Sequence, residues 1–163
     1  MTKIAVSTLA VLVLLVTSTV QADVSKNVEK AFRGKILITE EPLPPPGETD
    51  AKTIEAYKKA QAKAIESVAG DGSNEWTFLF TAFLSKPPKV DSVSMDFFTA
   101  DKAKLYVANK RFTGIDGKST VLSSKVSISE DDGLVKGKTY VIKLTASIKG
   151  KDVSFAETKI VMK

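Results

Sequence analysis

The chain has 163 residues, with 24 Lys+Arg against 19 Asp+Glu, and it contains neither histidine nor cysteine. Without cysteine there are no disulfides and no thiolate ligands. Without histidine the commonest general base and metal ligand are missing, so thiolate or imidazole zinc sites and His-dependent nucleophiles are excluded, while carboxylate pairs, Ser–Lys pairs and all-oxygen calcium sites stay compatible.

Residues 1–22 have the layout of a secretory signal peptide. Met1-Thr2-Lys3 is a short cationic start, Ile4 to Val20 is apolar, and Val20-Gln21-Ala22 offers a cleavage site before Asp23. The unbroken core Leu9–Val16 is shorter than the roughly 20 apolar residues of a membrane span. The expectation is export to the periplasm or cell exterior, with residues 23–163 as a single domain and no transmembrane segment after cleavage.

Residues 34–39, Gly-Lys-Ile-Leu-Ile-Thr, read as a short β-branched strand. Residues 40–47 hold four prolines and read as a stiff connector. Residues 50–69 read as a helix, capped by Thr49 or Asp50 and stopped by Gly70. Its apolar stripe is narrow: Ile54, Tyr57, Gln61, Ile65 and Val68.

From Glu75 the period becomes two. Trp76, Phe78, Phe80, Ala82 and Leu84 share one face of a strand whose other face carries Leu79 and Phe83. A strand apolar on both sides is covered on both sides, which predicts that the helix lies over Leu79 and Phe83. Alternation then marks strands around Val93–Phe97, Lys104–Phe112, Leu122–Ile128, Tyr140–Ile148 and 152–162, with a hairpin at Lys149-Gly150-Lys151. In the last strand Val153 and Phe155 share one parity, Ile160 and Met162 the other; a bulge near Ala156–Glu157 reconciles them. The fold class expected is mainly β: a seven-stranded antiparallel β-sandwich with one inserted amphipathic helix packed on a sheet.

Leu134-Val-Lys-Gly137-Lys-Thr-Tyr140 resembles the tyrosine corner of immunoglobulin-like and fibronectin-type-III-like domains. The resemblance implies that the Tyr140 hydroxyl bonds a backbone group stranded at a sheet-to-sheet crossing. Leu134 would then cap the core and Gly137 allow the bend. It concerns architecture only.

Two motifs bear on chemistry. Gly114-Ile-Asp-Gly117-Lys118-Ser119 ends like a phosphate-binding loop, but a strand follows where that motif needs a helix, so it reads as a hairpin turn. Glu130-Asp131-Asp132 before Gly133 offers oxygen ligands, yet lacks the alternating spacing of a calcium loop. These three are the metal candidates, with Asp71-Gly-Ser-Asn-Glu75 a similar and weaker case that doubles as the helix stop; no catalytic residue and no cofactor is indicated. Tyr106, Phe98 and Phe112 are the aromatics whose parity leaves room for sugar stacking, with core packing as the competing use.

Charge is unevenly placed. Residues 135–163 carry seven lysines against two acids. Lys143 alternates outward, and Lys149 and Lys151 flank the hairpin tip, making these three the candidate ligand-binding residues, for an anionic partner. The competing reading is lysine that merely blunts sheet edges. With only Arg33 and Arg111 to supply guanidinium forks, nucleic acid is not expected. The function expected is a non-enzymatic binding module for a protein partner or an anionic surface polymer. The alternatives are a structural subunit of a surface or secretion assembly, and a small carboxylate-dependent hydrolase.

Overall fold

The alternating segments become strands, and one of them sits at the centre of the molecule. The computed structural model describes residues 24–70 and 72–163; the expected leader, residues 1–22, lies outside them. In chain order the elements are α1 (Lys26–Phe32), β1 (Lys35–Thr39), α2 (Asp50–Ala60), β2 (Ala64–Ile65), β3 (Val68–Ala69), β4 (Asn74–Phe83), β5 (Ser92–Thr99), β6 (Tyr106–Thr113), β7 (Val121–Ser129), a 3-10 turn (Glu130–Asp132), β8 (Lys138–Ile148) and β9 (Lys151–Met162). No described helix is long and apolar enough to cross a membrane.

β4 pairs along its whole length with β7 on one side, and with β1 and β3 on the other. β1 passes the sheet on to β9, which continues through β8 and β5 to β6. This differs from the expectation in three ways. The described residues form nine strand segments, β1 and β2 run parallel to β9, and hydrogen bonding is continuous from end to end. The result is a curled mixed sheet.

Its inner face is the main core. Trp76, Phe78 and Phe80 of β4 face Met95 and Phe97 of β5, Ile142 and Leu144 of β8, and Ile160 of β9. The curl brings Phe112 of β6 edge-on to Phe80, with ring centroids 5.2 Å apart. Phe112 is thus a core ring. In β9 the pairing steps from Leu144↔Ala156 to Thr145↔Ser154, so Phe155 is the extra residue and both Phe155 and Ala156 are buried. The bulge lies just before its expected place and resolves the parity conflict.

The outer face of β1 and β4 carries a second, smaller core. Val28 and Phe32 of α1 and Tyr57 of α2 close over Leu37 and Phe83. Two helices therefore do the covering, not one. α1 is capped by the Ser25 hydroxyl, which accepts from the Val28 amide. Asp50, at the start of α2, accepts from Ser25 and Asn27 and joins the two helix starts; these bonds hold its carboxyl below the ordinary range. The expected helix over 50–69 ends at Ala60. Beyond it Ala64–Ile65 pair with Val161–Met162 of β9, Ile65 enters the main core, and Val68 is 72% exposed. Phe83 is covered as expected; Leu79 belongs to neither core.

The open seam of the curl, between β6 and the turn after β7, is bridged by charge. Lys110 Nζ meets both carboxylate oxygens of Asp132, at 3.1 and 2.9 Å. Burial raises the Asp132 carboxyl, but the Ser129 amide and the Lys110 ammonium outweigh it and hold the group below the usual range. A depressed carboxyl stabilises the fold above its unfolded pKa, and that contribution disappears as pH falls through the folded value. Lys110→Met should cost about 0.5–1 kcal/mol at pH 7, because the pair is about one-third exposed. The cost should shrink in urea unfolding as pH falls below the ordinary carboxylate range; a cost that does not change with pH would mean Lys110 acts by packing.

Candidate functional site

The residues of the tyrosine corner meet. Tyr140 and Leu134 are buried, and the Tyr140 hydroxyl accepts a hydrogen bond from the Val135 amide at 2.8 Å. Gly137 holds a left-handed φ of +80°, and its amide donates to the Met162 carbonyl at 2.6 Å. A β-branched residue fits that backbone poorly. Tyr140→Phe should cost about 1 kcal/mol, the low end for a lost partner, because water reaches the half-exposed Val135. Equal melting temperatures for the two proteins would show that the hydroxyl does not hold the loop.

The Gly114–Ser119 segment is not a hairpin turn. β6 pairs with β5 and β7 with β4, so the segment crosses from one end of the sheet to the other. Asp116 accepts from the Lys118 and Ser119 amides, which closes the turn. A Cβ on Gly117 would sit 2.9 Å from the Val90 carbonyl oxygen. The glycine-lysine pattern therefore serves close backbone packing.

The three acids after β7 point to separate partners. Glu130 accepts from the Asn74 amide and side chain, which hold its carboxyl low. Asp131 accepts from Ser73, and Asp132 bridges to Lys110. No group of three candidate ligands converges among the described residues.

The three candidate lysines are not brought together as one set. Lys149 and Lys151 sit exposed at the two-residue β8–β9 turn, where Lys149 and Gly150 have φ of +52° and +75°. Lys143 lies in mid-strand on the outer face. It is in register with Asp96 on β5 and Glu157 on β9, stands 3.9 Å from Glu157, and sits 5.7 Å from the centre of the Phe98 ring.

The structure gathers a different set of cations. Lys26 and Lys30 of α1 and its C-cap Arg33 follow one another at i, i+4 and i+7, the two lysines on the side opposite Val28 and Phe32. With Glu29, Lys86 and Thr120 they line a shallow cleft of about 350 Å3 beside the end of β4. Arg33 Nε and Nη2 donate to the Ser85 carbonyl at 2.8 and 2.6 Å, fixing the guanidinium at the cleft wall. Glu29 is held by the Thr120 hydroxyl. A second cleft, of about 500 Å3, shares Arg33 and adds Lys35, Gln61, Val141, Glu157 and Lys159. Six cations thus surround two adjoining clefts against two carboxylates. Among the described residues none of the six is in an ion pair. Lys26 and Lys30 repel at i and i+4, while Glu29 in the first turn and Lys30 in the last turn offset part of that cost.

Comparison with protein-family models, with curated proteins and with solved structures returns no match. A functional reading therefore rests on the chemistry of the clefts.

Proposed function

We propose that this chain is an exported, non-enzymatic binding module of the periplasm or cell exterior, and that the two clefts meeting at Arg33 engage an anionic partner. The observation that carries this reading is the six-to-two excess of cations around them, set on an anchored guanidinium. Partners of opposite charge lower the repulsion among these cations, which Glu29 and Glu157 only partly offset. The two facing halves of the curled sheet, and the Tyr140 bond, support an immunoglobulin-like or fibronectin-type-III-like sandwich as the scaffold.

The test is binding to polyphosphate, a linear polyanion without rings, at low and physiological ionic strength. Lys30→Ser with Lys86→Ser should weaken binding about tenfold, the size expected when two contacts to a linear polyanion are lost. Lys149→Ser with Lys151→Ser should weaken it less. Absence of polyphosphate binding even at low salt would refute the anionic reading.

A further inference from the structure

The clefts do not end at Arg33. On the outer face of the sheet, Tyr106, Phe98, Val141 and Lys159 stand in one cross-strand row, each in register with the next. At strand spacing the row spans about 14 Å, and its Lys159 end enters the second cleft. The other end is aromatic and open. Tyr106 is 56% exposed, and Leu105 beside it is 61% exposed. Phe98 touches Tyr106 edge-on, with ring centroids 5.9 Å apart and planes at 74°. Lys143 covers Phe98 in turn. The Tyr106 ring is therefore propped in place and held ready.

From this placement, and resting on the anionic reading above, we infer that the partner is an acidic polysaccharide, laid from Tyr106 across Val141 to Lys159 and Arg33. A pyranose ring has one face of C–H groups, which packs on the electron-rich face of an aromatic ring and removes apolar surface from water. Carboxylates or sulfates on neighbouring sugars then meet Lys159 and Arg33, which are spaced from the ring by more than one sugar unit. The cations alone suit any polyanion; the open aromatic end in line with them suits one built of rings. Asp96 and Glu157 flank Lys143 in the next row and disfavour a uniformly charged surface lying flat on this face.

The experiment compares polygalacturonate, polyphosphate and phosphatidylglycerol vesicles at equal anionic charge, for the whole chain and for Tyr106→Ala, Tyr106→Phe and Lys159→Ser. Polygalacturonate should bind most tightly. Tyr106→Ala should weaken it about tenfold while leaving polyphosphate binding unchanged, and Tyr106→Phe should restore it. Lys159→Ser should weaken both polymers. If Tyr106→Ala weakens neither polymer, or both equally, the saccharide inference falls while the anionic reading stands. Tighter binding to the vesicles overturns it in favour of a lipid surface. Failure of the wild type to bind polyphosphate removes the anionic reading itself.

Discussion

Replacing Trp76 with alanine should lower stability by about 3–5 kcal/mol, the cost of emptying a large core site. Trp76 is fully buried on the inner face of β4, in register with Ile128 of β7. Its indole N–H donates to the Lys163 carbonyl at 2.9 Å, tying the start of β4 to the residue just after β9. The change therefore opens a cavity and also removes one of the two hydrogen bonds that the Lys163 carbonyl accepts, the other coming from the Ser67 amide at 2.6 Å. Trp76→Phe keeps most of the volume and isolates the lost hydrogen bond, at about 0.5–1.5 kcal/mol. The measurement is urea unfolding followed by circular dichroism, since Trp76 is the single tryptophan and its loss removes that fluorescence. A Trp76→Ala protein within about 1 kcal/mol of wild type would mean that the inner face repacks freely.

Phe32→Ala should be nearly as costly, about 3–5 kcal/mol, and should also disturb binding. Phe32 is 5.2 Å from the Phe83 ring and 6.0 Å from Tyr57, centroid to centroid, and anchors a helix of only seven residues. So short a helix has little stability of its own; packing holds it. Losing Phe32 frees α1, and with it the placement of Lys26, Lys30 and Arg33. Polyphosphate binding should fall at temperatures where the sheet remains folded. Intact binding alongside a large loss of stability would show that the cations act without the helix that carries them.

Strands β4, β7 and β8 are legible in the sequence because their inner-face residues recur with a period of two. β4, β7 and β8 fall where Trp76 to Leu84, Leu122 to Ile128 and Tyr140 to Ile148 place them. Residues 61–69 are not legible, because their alanines and the continuing Ile65–Val68 spacing suit a helix, with no breaker before Gly70. Pairing with β9 and burial of Ile65 override that local preference. α1 escapes notice for the opposite reason: seven residues give only Val28 and Phe32 as a pattern, although the Ser25 cap is there to be seen. The site follows the same logic. Lys26, Lys30 and Arg33 are visible as one helical face once α1 is recognised. Lys86 and Lys159 come from distant parts of the chain, and no spacing along it announces that they join. Lys143 stands out by alternation, but its acidic neighbours Asp96 and Glu157 lie on other strands.

The joint between β1 and β9 is expected to close late in folding. It is made by strands from opposite ends of the described chain, through the short parallel contact of Lys35 with Glu157. The β5–β6 and β8–β9 hairpins close small loops, whereas this joint needs the whole chain to be gathered. Non-local pairing of that kind forms late, on millisecond-to-second scales. Until it does, Met95, Phe97, Ile142 and Leu144 lie on a sheet surface with nothing across from it. The interval before closure is when the molecule is most exposed to self-association, and a change at the joint will act on yield of folded protein before it acts on the folded protein's stability.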